Sequence, residues 1–107
     1  MGSVIVNTAA TVSEEQAAAT KQRLTRAVQR HMDTTVQERG YDNIFTACTY
    51  AEEPAVPEFQ AEGQACREWR SRVWDYCYAV LADVESGSRA VQTEEELIAE
   101  LPVLTWP

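Results

Sequence analysis

The sequence predicts an all-α fold: a small helical domain built on a long antiparallel helical hairpin, with two short helices and an extended N-terminal arm. Three observations carry this expectation. Residues 57 to 86 have a helical period throughout, a second apolar stripe recurs every four residues from Leu24 to Val36, and only Val4, Ile5 and Val6 read as strand, with no second strand signal to pair with them. A chain of 107 residues holds one domain. We divide it into an arm over residues 1–12 and a single helical domain over 13–107.

The central helix is expected over PEFQAEGQACREWRSRVWDYCYAVLADVES, from Pro57 to Ser86, which contains two of the three tryptophans and two of the three cysteines. At about 100° per residue, Cys66, Trp69, Val73, Trp74, Tyr76, Cys77, Val80, Leu81 and Val84 share an arc of roughly 160°. Glu68, Ser71, Arg72, Asp75 and Asp83 lie opposite. So wide an arc suits two packing neighbours. Gly63 marks either a close approach by another backbone or ring, or the point after which the helix proper begins. Arg70 projects into the apolar arc, where it can snorkel, stack on Trp74 or pair with a carboxylate such as Asp42.

The first helix is expected to start at Ser13, where Ser13 and Gln16 have the spacing of a capping box, and to stop at Gly40, suited to the left-handed position past a helix end. Leu24, Val28, Met32 and Val36 form one narrow stripe, with Arg23, Arg26 and Arg30 outside it. His31 borders the stripe without an evident carboxylate, cysteine or serine partner and reads as boundary packing. Asp42 or Asn43 caps a short second helix containing Ile44, Ala47, Cys48 and Ala51, which Pro54 ends. Pro57 takes the favoured first position of the central helix. Gly87 stops that helix, and Thr93 with Glu96 caps a last one over about residues 94–101, ahead of Pro102. The apolar ending Val103, Leu104, Thr105, Trp106 either packs back on the core or is offered to another chain.

Composition excludes several function classes. The net charge of −8, with 17 acidic against 9 basic residues, argues against phosphate neutralisation and so against a nucleic-acid partner. No apolar run reaches the roughly 20 residues of a membrane span, and the start MGSVIVNTAATV has neither a basic nor a long apolar region. We therefore expect no membrane partner, and a soluble chain that is intracellular when made. Three cysteines and one histidine, with no CxxC pair, do not make a zinc site, so we expect no metal and no cofactor, and reduced core thiols at Cys48, Cys66 and Cys77. No phosphate loop, GxSxG elbow or HExxH is present, and no enzyme is expected. The segment around residues 21–39 is locally basic and that from 83 to 100 acidic. These read as two solvated faces that attract each other, or as a docking surface for a basic partner.

The pattern RGYDNIFTACTYA, then PEFQAEGQACREWRSRVWDYCYAVLADVESGSR, then TEEELIAELPVLTWP resembles small proteins encoded in the tail-fibre region of tailed phages and prophages. The resemblance covers residues 13–107. Its more specific parts are the RGYD element, the FQAEGQA…WR…VW…CY helix and the LP…WP ending. It implies a non-enzymatic structural or assembly protein of a phage tail, in the virion or in the host cytoplasm during assembly, with a tail or tail-fibre protein or further copies of itself as partner. Leu24, Val28, Arg70, Leu104 and Trp106 are the candidate partner-binding residues. A different class, a small acidic phage inhibitor that blocks a basic surface of a host protein, is the alternative.

Overall fold

The structure, a computed structural model, describes residues 2–107, with side chains described from Glu14 onward. It is all-helical, and no strand occurs among the described residues. The elements are α1 (Gly2–Gln37), α2 (Ile44–Thr49), a 3₁₀ turn (Tyr50–Glu52), α3 (Pro57–Glu85) and α4 (Glu94–Glu100).

The stripe on α1 becomes the core because its four-residue spacing keeps each side chain on one face. Val28, Met32 and Val36 are buried, Leu24 is half-buried, and Arg23, Arg26 and Arg30 are exposed. They meet Cys66, Trp69 and Val73 of α3 in one cluster, and the His31 ring lies edge-on to Trp69 at 6.1 Å. Just past the end of α1, Arg39 and Tyr41 meet Glu62, farther back His31 meets Trp69, and residues 17–28 share a groove with residues 74–85, so residue numbers fall on α1 as they rise on α3. The two long helices are the two arms of an antiparallel hairpin.

Both stop signals act through the same geometry. Gly40 has φ +97° and Gly87 φ +82°, values a side chain would strain. The Tyr41 N–H donates to the Val36 carbonyl and the Gly40 N–H to that of Gln37. Likewise the Ser88 N–H donates to Asp83 and the Gly87 N–H to Val84. These paired bonds, spanning five and three residues, close each helix end and occupy carbonyls that would otherwise lack a partner.

The wide arc of α3 does have two neighbours. One flank faces α1. The other takes α2 and the 3₁₀ turn, which approach so closely that a Cβ on Gly63 would sit 2.5 Å from the Ala51 amide nitrogen and 2.8 Å from the Tyr50 carbonyl carbon. Gly63 is thus inside α3 and marks a backbone contact, the first of the two readings open for it. Asn43 caps α2 by accepting from the Thr46 N–H at 2.8 Å, and Asp33 of α1 accepts from the Ile44 N–H at 3.0 Å. Thr93 and Glu96 form the capping box of α4, which puts Leu97 and Leu101 into the core.

The N-terminal end departs from expectation. The backbone is helical from Gly2, so residues 2–12, expected as an extended arm, belong to α1, and the capping-box spacing at Ser13–Gln16 lies inside the helix. No glycine or proline interrupts residues 3–13. Once the packed part of α1 has nucleated, each further residue needs only propagation, and β-branched residues such as Val4 and Ile5 cost less than ~1 kcal/mol each.

Candidate functional site

Two features concentrate the unusual side chains: an open apolar groove at one end of the hairpin, and an aromatic and charged clamp at the other.

The groove forms because the last part of α3 and the matching part of α1 have no third long helix to cover them. It has a volume of about 870 Å³ and runs between Ala17, Ala18, Lys21, Leu24 and Val28 of α1 and Trp74, Cys77, Tyr78, Leu81 and Val84 of α3, with Val91 and Leu97 closing one side. Tyr78 is 69% exposed and Val91 56%, large apolar surfaces left in water at its rim. Leu24, Trp74, Leu81 and Val84 are half-buried. Charge frames this surface: Arg23 pairs with Glu94 at 3.4 Å, and Lys21 and Glu85 also line the groove. The Arg23–Glu94 pair joins the basic and acidic segments within one chain, as the first of the two sequence readings has it.

At the opposite end, Arg39 and Tyr41, the two residues flanking left-handed Gly40, converge on Glu62 of α3. The Tyr41 phenol donates to Glu62 Oε1 at 2.8 Å, and Arg39 Nε lies 3.1 Å from Glu62 Oε2. Glu62 is buried, and both its oxygens are engaged by these partners. The Arg39 guanidinium also sits 4.7 Å over the Trp106 ring, which stacks on Tyr41 at 6.3 Å and 15°. Burial and the bond to the Glu62 carboxylate raise the Tyr41 pKa far above its ordinary value, because ionised tyrosine beside Glu62 would be dry and repelled. Trp69 extends the clamp by donating its indole N–H to the Pro102 carbonyl at 2.7 Å. The RGYD element, the AEG stretch of α3 and the LP…WP ending, far apart in sequence, therefore meet in space. Their joint work is to hold the hairpin turn and the C-terminal tail together.

The predicted partner-binding residues divide between these sites. Leu24 lines the groove and is half-exposed. Val28 lines its floor but is only 1% exposed, so it is a core residue that a partner could barely touch. Leu104 and Trp106 are half-buried in the returning tail, the packed-back outcome of the two expected for it. Arg70 neither pairs with Asp42 nor stacks on Trp74. It lies against Cys48, where its charge opposes the upward push that burial gives the Cys48 thiol.

The thiols are free, and burial raises the pKa of each. Cys66 is the most affected, pushed up to about 12 by burial first and then by the nearness of Cys48 and Glu62. A thiol held protonated to that extent is a poor nucleophile. Among the described residues, no group of three or more His, Cys, Asp or Glu side chains is placed to hold a metal, and no helix is long and apolar enough to cross a membrane.

Sequence reasoning missed Glu62 and the outer face of the groove. The period of α3 places Glu62 one turn before Cys66, inside the apolar arc and in line with Val80, which could have marked it as a buried acid needing partners. Val91 gave no signal, since it precedes α4 in an irregular stretch and only the chain path brings it to the rim. Comparison with protein-family models, curated proteins and solved structures finds no match to the chain.

Proposed function

We propose that the protein is a non-enzymatic structural or assembly component of a phage tail and works by contact with other protein chains. The groove carries this reading: a hairpin whose second half leaves Leu24, Trp74, Tyr78, Leu81 and Val91 at an open apolar cleft has surface that another chain can bury. The tail setting rests on the resemblance of the RGYD, FQAEGQA and LP…WP elements. The clamp supports the division of labour, because it uses those elements to fix the fold and leaves the groove as the surface open for contact.

The test is to purify tails and complete virions from cells producing a phage that encodes the protein, and to probe them for it. Stoichiometric presence in tails, or in a complex with a tail-fibre protein before assembly, is the expected result. Absence from both, with strongly salt-dependent binding to a basic host protein, would replace this reading by the acidic inhibitor.

A further inference from the structure

The groove's rim carries a charge pattern that matches itself under a two-fold rotation. Glu14, then the neighbours Ala17 and Ala18, then Lys21, Thr25 and Val28 follow at three- and four-residue steps on one face of α1, and from Ala17 to Val28 they line the groove. If two α1 helices are laid antiparallel with the axis between Ala17 and Ala18, Glu14 of each copy falls opposite Lys21 of the other. Glu14, Ala17, Ala18 and Lys21 are all exposed, and neither Glu14 nor Lys21 has an ion-pair partner among the described side chains. The alanines at the axis let the two backbones come close.

The reach of α1 fits as well. From Ala17 back to Gly2 the helix extends about 22 Å, and the groove follows α1 from Ala17 to Val28 for about 17 Å at 1.5 Å per residue. In the antiparallel arrangement the N-terminal part of one α1 crosses the whole groove of the other, beside Leu24 and the exposed Tyr78 ring. We propose that the groove is an isologous self-association surface, occupied by the α1 helix of a second copy of this chain in that register. The pairing buries the same patch on both subunits and closes on itself, as a two-fold contact must. Reciprocal Glu14–Lys21 pairs set its register more than its affinity. This rests on the reading that the protein works by chain-to-chain contact and names one such chain.

Charge exchange tests it. Lys21→Glu places four carboxylates around the axis, while Glu14→Lys combined with Lys21→Glu restores both reciprocal pairs with their signs reversed. All the altered positions are exposed, and circular dichroism checks that each variant keeps the helical spectrum. Sedimentation equilibrium of the full chain at low salt is expected to show a wild-type dimer, a dimer weakened about tenfold by Lys21→Glu, and recovery in the double variant. A monomeric wild type up to millimolar concentration overturns the proposal, as does a dimer whose affinity ignores the charge changes. A monomer that is still found stoichiometrically in tails would leave the assembly reading standing and remove the second copy from the groove.

Discussion

Trp69 donates its indole N–H to the carbonyl oxygen of Pro102, 33 residues farther along, at 2.7 Å. That bond joins the middle of α3 to the start of the C-terminal tail, and four residues later Trp106 closes against Tyr41 and Arg39. The tail is therefore part of the folded domain. Trp69→Phe should cost about 2 kcal/mol of stability, from the lost hydrogen bond and the smaller ring. Ending the chain at Leu101 should cost more and speed proteolysis near Gly40. Urea denaturation of both variants measures this; unchanged midpoints would detach the tail from the fold.

Gly63→Ala reverses the usual effect of alanine in a helix. Propensity alone favours the change by about 1 kcal/mol, but the new methyl would lie 2.5 Å from the Ala51 amide nitrogen, a backbone atom that cannot swing aside. We expect a net loss of roughly 1–3 kcal/mol by chemical denaturation, from overpacking between α3 and the 3₁₀ turn. A more stable variant would show that α2 does not pack as described.

Acid stability depends on Glu100. Hydrogen bonds from Arg89, Gln92 and Tyr76 lower its pKa from the ordinary value to about 2. A carboxyl depressed in the folded state contributes stability that is complete above its unfolded pKa and is lost as pH falls through the folded one. The melting temperature should therefore drop between about pH 4.5 and pH 2. Glu100→Gln should lower it at pH 7 and flatten that limb. Equal slopes for the two proteins would refute the network.

Tyr41 controls the alkaline side with the opposite sign. Its raised pKa favours the neutral phenol in the fold, so its contribution is full below about pH 10 and fades as pH rises beyond that. Absorbance titration at the tyrosinate band should show one tyrosine ionising only on unfolding, and Tyr41→Phe should abolish that late step. Thiol labelling gives a parallel readout: Cys66 should react last in the native protein and promptly in urea.

Most of the architecture could be read from periodicity and caps. The four-residue stripe of α1, the wide arc of α3, the glycine stops and the Thr93–Glu96 box each state their structure locally, and local signals are what a sequence displays. The extended arm failed for the same reason. Val4 to Val6 read as strand in isolation, but no strand occurs among the described residues to pair with them, and continuation of an already nucleated helix prevails. The clamp depends on Glu62, Tyr41 and Trp106 meeting across 65 residues, which no local pattern encodes. The groove was half legible. Leu24 was singled out from the stripe, yet Val28 beside it is core, because whether a stripe residue is covered depends on where α3 and α4 end.

The groove as contact surface is tested most directly by comparing two aspartate substitutions for incorporation into phage tails. Leu24→Asp puts a charge in the groove, while Phe45→Asp changes a side chain that is 68% exposed on α2, away from it. With both variants shown by circular dichroism to be folded, Leu24→Asp should be lost from purified tails while Phe45→Asp is incorporated like wild type. Incorporation of Leu24→Asp at the wild-type level would contradict the account.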